Sequence, residues 1–354
     1  VSRLVYCWFN AVATVRGFHA QSDDCKWTSL TASFSERLPL CTLPTPLHRL
    51  DELSRELGAE IWIKRDDLTG FALGGNKARK AEFLLAEALQ KDCDVILTAG
   101  AIQSNHARVI AAAARRYSRE CHLFLGGQKP DEPTANLLLD QLAKAQVHVV
   151  ASDEEASVME RFAEELRGLG RRPYVIPIGG SNEIGAQGYT LGFREIEHQL
   201  RALPPKPTTL LFASSSGGTH AGLLAGKTMD KSEVKLLGVR VDKDPGLQEA
   251  ICIIAEKLLM LLGSNEKLQP NDVVLDLDYV GEDYGVPSEQ GIDALKKLWQ
   301  SEGILLDPVY TAKAMACLID LAREGEWTKD ERVVFLHSGG TPSIFNYPTQ
   351  FSIS

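Results

Sequence analysis

In CDVILTAGAIQSNHARVIAAAARRYS, residues 93–118, the hydrophobic pattern changes period midway. Residues 93–100 are an almost unbroken apolar run ending at Gly100, as in a strand buried on both faces. Residues 104–118 place apolar side chains at helical spacing, and Ser104 stands where a helix N-cap belongs. A strand that runs straight into a helix is half of a βαβ unit. Such units build parallel sheets covered on both faces.

The alternation extends to either side. AEIWIKRDD (59–67) reads as a short strand. KARKAEFLLAEALQK (77–91) reads as a helix with Ala81, Leu84, Leu85 and Ala88 on one face. CHLFLGG, QVHVVA, RPYVIPIGG, TTLLFAS, VKLLGVRVD and ERVVFLHSGG supply further strands, with helical stretches between most of them. No repeat and no long linker interrupts the 354 residues, which suits two compact α/β units in close contact.

Composition narrows the function. The chain is 44% hydrophobic and 24% charged, with a net charge of -9, the profile of a soluble globular protein. That charge argues against nucleic acid or an anionic membrane surface as partner, and no apolar run is long enough to span a bilayer. The seven cysteines are scattered, with no CxxC pair and no zinc spacing. Reduced thiols in an intracellular, cytoplasmic setting fit them. Residues 1–33 carry Arg3 and Arg16 and no acid before Asp23. They read as an extension, either without defined structure or as a mitochondrial or plastid transit segment.

Ligands of open parallel sheets bind beyond the C-terminal strand ends, and several such ends are unusual here. SSSGGTHAGL (214–223) offers small residues and a helix start, a cradle for one phosphate. It has neither Walker nor GxGxxG spacing, and no GxSxG elbow of a serine hydrolase. In AGAIQSNHAR (99–108), Ser104, Asn105 and His106 open a helix suited to a carboxylate. DPVYTAKAM, HSGGTPSIF and EDYGVPSEQG place Tyr310, Thr311, Ser338 and Tyr284 at turns. Lys77 follows the turn Gly74–Gly75, and Lys80 stands about one helical turn on. A phosphate nest without a nucleotide motif, together with a lysine in a glycine turn, points to pyridoxal 5'-phosphate, which carries one phosphate and an aldehyde.

GGNKARK, TAGAIQSNHAR, SSSGGTHAGL, DYGVP, DPVYTAKAMACLIDL and HSGGTPSIF occur in this order. Together they resemble the fold type II pyridoxal-phosphate enzymes of the D-cysteine desulfhydrase and 1-aminocyclopropane-1-carboxylate (ACC) deaminase family, over about Leu38 to Tyr347. The resemblance implies an α/β, tryptophan synthase β-subunit-like fold with two three-layer αβα domains. The large, cofactor-binding domain would be residues 34–78 and 188–354, and the small domain 79–187. It also implies a homodimer acting on a small amino acid, with no metal.

Carried over by motif, Lys77 resembles the Schiff-base lysine. Lys80 with Ser216, Gly217, Gly218 and Thr219 resembles the phosphate grip, where Ser215 stands in place of a usual glycine. Asn105 resembles the partner of the cofactor's ring hydroxyl. Ser104, Asn105 and His106 resemble the substrate-carboxylate site, and Tyr284 and Tyr310 the active-site phenols. Thr311 and Ser338 stand where the deaminases are expected to have glutamate and leucine. They side with the desulfhydrases, as neutral hydroxyls near the cofactor ring. The expected reaction is α,β-elimination of D-cysteine to pyruvate, ammonia and hydrogen sulfide. ACC deamination, or elimination from a related amino acid, is the alternative, and cofactor handling without vigorous catalysis a further one.

Overall fold

A computed structural model describes residues 34–351; the extension at residues 1–33, with its transit-like reading, lies outside them. Among the described residues, ten strands form two sheets. The first holds six strands: β1 (Leu47–Arg49), β2 (Glu60–Lys64), β7 (Thr208–Ser214), β8 (Lys235–Arg240), β9 (Leu275–Asp276) and β10 (Arg332–Leu336), in the order β1-β2-β10-β7-β8-β9. All its pairings are parallel except that of β1 with β2. The second sheet holds β3 (Val95–Ala101), β4 (Glu120–Gly126), β5 (Gln146–Val150) and β6 (Pro173–Ile176), in the order β5-β4-β3-β6, all parallel. The architecture is the α/β arrangement expected from the alternation, and it agrees with the fold type II arrangement that the resemblance implies.

The strand-to-helix switch at residues 93–118 becomes β3 followed by α3 (Asn105–Arg116). Ser104 caps α3, its Oγ accepting from Ala107 N–H at 3.1 Å. The small residues of α3, Ala107, Ala111 and Ala114, are wholly buried against Leu123 and Leu125 of β4 and Leu84 and Leu85 of α2 (Asn76–Gln90). Burying each of these leucines contributes roughly 1.5–3 kcal/mol, and each alanine methyl roughly 0.8 kcal/mol.

Five elements were not legible as periodic runs, among them the seven-residue helix α1 (Asp51–Leu57) and the two-residue edge strand β9. The edge strand β1 is three residues long. Helices α9 (Glu289–Glu302) and α10 (Thr311–Glu324) lie where only motifs stood out. Both pack on the first sheet, with Leu295, Leu298, Met315 and Leu318 meeting Ile61 and Phe335 in one core.

Helix α2 joins the two halves. One face, through Ala78, Ala81, Leu85 and Ala88, enters the core of the second sheet. Another sends Arg79 into a closed ionic network under the first. Arg79 pairs with Asp66 at 2.8 Å and with Glu195 of α6 (Glu183–Leu200) at 3.0 Å, and Lys64 of β2 pairs with Glu195 as well. Tyr189 donates to Asp66 at 2.7 Å. Two cations face two carboxylates, all at most 1% exposed.

Candidate active site

The C-terminal ends of both sheets face a cleft. It is lined by Lys77, Ser104, Asn105, His106, Ser216, Tyr284, Tyr310 and Ser338, eight residues singled out from sequence. They arrive from six separate segments, five at a strand end or helix start and Tyr284 in the loop between β9 and the helix that follows it.

Lys77 stands in the first turn of α2, after four consecutive residues, Ala72–Gly75, with positive φ. Such backbone is costly for Ala72 and Leu73 and natural for Gly74 and Gly75. The glycines are required by contact as well: a Cβ at Gly75 would lie 3.0 Å from the Ser338 carbonyl oxygen. Asn76 N–H donates to that same oxygen at 2.8 Å, which docks the turn onto the loop after β10. Half-buried Lys77 therefore enters the cleft from a pinned backbone. Its Nζ donates to Gly179 O at 3.3 Å. Burial lowers its pKa from the ordinary lysine value to about 8, so an appreciable share is neutral amine near pH 7–8.

Lys80 lies behind Lys77 and is fully buried. Its Nζ donates to Gly179 O at 3.1 Å, and its pKa is held well below normal by burial and by Lys77. No carboxylate pairs with either lysine among the described residues. A Cβ at Gly218 would lie 2.8 Å from Lys80 Nζ, so this ammonium touches the start of α7 (Gly218–Asp230). That helix has no side-chain cap, and Gly217, at φ 81°, turns the chain into it. Ser181 Oγ accepts from Gly218 N–H at 3.2 Å and donates to Ser216 Oγ at 2.9 Å, while Asn76 Nδ2 donates to Thr219 Oγ1 at 3.0 Å. Two lysines without a carboxylate partner, beside a helix start whose N-cap is the glycine Gly217, fit a phosphate.

His106 is buried beside Gly180, where an added Cβ would lie 3.1 Å from its ring. Its Nε2 is bonded to Thr98 Oγ1 at 2.9 Å, and its Nδ1 has no partner. Burial and the two lysines push its pKa far down, so the ring is neutral. Tyr284 and Tyr310 share a short hydroxyl–hydroxyl bond with their rings at 68°. Burial raises both pKa values, so both phenols keep their protons near neutrality.

The hydroxyl of Thr311 takes a different direction. It donates to Asp307 Oδ1 at 2.7 Å and accepts from Asp307 N–H at 2.8 Å. Thr311 thereby helps close the start of α10 and does not line the cleft, whereas Ser338 does.

Sequence reasoning overlooked Gly179–Ser181, which bonds both lysines and the phosphate loop. The signal was present, since PIGG ends the strand β6 as the other site loops end theirs. It also overlooked Asn136, which bonds Asn105.

A family model described as pyridoxal-phosphate dependent enzyme matches residues 39–339. The chain belongs to that family. Its cofactor is accordingly pyridoxal phosphate, and the cradle at Lys77, Lys80 and the start of α7 fits it. Among its relatives is a D-cysteine desulfhydrase of Salmonella newport, 41% identical over 320 residues, covering 88% of this chain and 96% of that protein. A Pyrococcus abyssi protein, provisionally named a 1-aminocyclopropane-1-carboxylate deaminase, is 40% identical over 315 residues, covering 88% and 93%. The crystal structure of an ACC deaminase homologue superposes with a TM-score of 0.84 at 38% identity, covering 92% of this chain and 98% of that one. No described helix is long and apolar enough to cross a membrane.

Proposed function

We propose that this enzyme is a D-cysteine desulfhydrase, converting D-cysteine and water to pyruvate, ammonia and hydrogen sulfide. The observation that carries the reading is Lys77, a lysine of depressed pKa on a pinned turn, facing a phosphate cradle and two protonated phenols. Bound pyridoxal phosphate supplies an aldehyde for Lys77 and a ring that accepts the electron pair left when the α-proton departs.

The chain's own groups do the rest. Lys77, Lys80, Ser216, Gly217, Gly218 and Thr219 hold the cofactor's aldehyde and phosphate ends, and Asn105 its ring oxygen. The start of α3 at Ser104 and Asn105, with neutral His106 beside it, receives the substrate carboxylate. The neutral Lys77 amine takes the α-proton. The C–S bond then breaks and hydrosulfide leaves with the bonding electron pair, the protonated Tyr284–Tyr310 pair donating a hydrogen bond to the departing sulfur. Water completes the conversion to pyruvate and ammonia. Ser338 sets a neutral hydroxyl in the cleft; the bonds of Thr311 to Asp307 assign it to the wall that carries Tyr310.

We also take residues 34–78 and 188–354 as the large domain and 79–187 as the small one, a division supported by the four strands of the second sheet all falling between 95 and 176. A homodimer belongs to the same reading and is tested by sedimentation.

ACC deamination is the second reading, favoured by the names of the Pyrococcus relative and the structural neighbour. The deciding experiment supplies D-cysteine, L-cysteine and ACC to the loaded enzyme and follows sulfide and α-keto acid. Sulfide and pyruvate from D-cysteine alone are expected. Keto acid from ACC without sulfide from D-cysteine would replace the first reading by the second.

A further inference from the structure

The amide of Asn105 can face the cleft with its oxygen or with its nitrogen, and these have opposite chemistry. We propose that Asn136, outside the cleft, is a positioning residue that fixes the nitrogen end inward. The inference rests on the reading of Asn105 as the partner of the cofactor's ring oxygen.

Asn136 lies in the first turn of α4 (Ala135–Leu142) and is wholly buried. Its Nδ2 donates to the backbone carbonyl of Gln103 at 2.8 Å. A carbonyl oxygen only accepts, so this bond fixes which end of the Asn136 amide is nitrogen. The same nitrogen donates its second hydrogen to Asn105 Oδ1 at 2.9 Å. The acceptor end of Asn105 is thus engaged from behind, and its Nδ2 points the other way. A Cβ built on Gly340, which lines the cleft, would lie 3.0 Å from that nitrogen. Asn136 is itself held, because its backbone N–H donates to Gln103 Oε1 at 3.0 Å. Gln103 Nε2 in turn donates to Thr134 O at 3.3 Å.

A backbone carbonyl therefore dictates, through two amides in series, that the cleft receives a donor. A donor at Asn105 favours the ionised form of an oxygen it meets, and an acceptor would favour the protonated form. Asn136 sets this ionisation without touching the cofactor or the substrate.

Asn136→Asp preserves shape and reverses the relay. A carboxylate cannot donate to Gln103 O or to Asn105 Oδ1, so the Asn105 amide turns over to donate to it and presents oxygen to the cleft. The readout is the pH midpoint of the visible absorbance of the cofactor-loaded protein, which needs no substrate. Asn136→Asp is expected to move the midpoint upward by about one pH unit. It should lower kcat roughly ten-fold and leave KM much less affected. Asn136→Leu, which removes the bonds without reversing them, should shift the midpoint less. It replaces Asn136→Asp as the deciding variant if the latter does not fold by circular dichroism. Asn105→Ala is measured alongside. A shift in Asn105→Ala with none in the folded Asn136 variant overturns the relay. No shift in either overturns the placement of Asn105 and the relay with it. Both results leave the D-cysteine assignment to its own assay.

Discussion

Helix α2 sends cations into two very different surroundings. Arg79, with Lys64 of the neighbouring strand, meets the carboxylates of Asp66 and Glu195, and every charge there is answered from within the chain. Lys77 and Lys80 converge on one carbonyl, Gly179 O, and no carboxylate among the described residues answers them. Burying a charge is costly unless it is paired. The balanced cluster is complete as it stands and fastens α2 to the first sheet. The unbalanced one is held at a cost in stability that a phosphate bound there would offset. A buried charge thus marks a ligand site when its counter-charge is missing.

Substitutions at the two clusters should part along that line. The largest effect is expected for Lys77→Ala, which should lower turnover by more than about a thousand-fold, within the range enzymes draw from chemical groups. The variant should remain folded, and stopped assays for pyruvate measure the loss. Arg79→Ala should do the reverse. It strands Asp66 and Glu195 in the interior and should reduce stability by about 3–5 kcal/mol, read from urea unfolding of the cofactor-free protein. If Arg79→Ala left stability intact while Lys77→Ala unfolded the chain, the contrast between the clusters would be inverted.

Lys80→Gln should weaken cofactor binding by roughly ten- to a hundred-fold, the range for hydrogen bonds to charged groups, with little loss of stability in the cofactor-free state. Equilibrium dialysis measures it. The smallest effect concerns pH. The folded-state pKa of Lys77 is about 8, against 10.5 for an ordinary lysine. Between those values the unfolded chain binds more protons at this position than the folded one. This lysine's contribution to stability of the cofactor-free protein therefore rises with pH from about 8 to 10.5. Unfolding midpoints of the parent and Lys77→Met across that window should converge as pH rises, and parallel curves would rule the depressed pKa out.

Much of this was readable from sequence, and the reasons differ by residue. The change of period at residues 93–118 exposed β3 and α3, because a two-sided strand and an alanine-rich helix have distinct patterns. Lys77 stood out because glycines at 74 and 75 allow a backbone that other residues resist. The short edge strand β1 carried no periodicity to detect. Helix α10 was hidden behind the DPVYT motif that begins it. Thr311 shows the limit of motif reasoning, for a hydroxyl beside a site can serve the wall, as the bonds to Asp307 illustrate. Asn136 could not be found from sequence at all. Its role depends on which amide end meets a carbonyl 33 positions away.

The most direct test of the unbalanced cluster is borohydride reduction of the cofactor-loaded enzyme followed by peptide mass mapping. Cofactor mass fixed on Lys77, and lost in Lys77→Ala, is the expected result. Cofactor mass on Lys80 or another lysine, with Lys77 unmodified, would contradict the account.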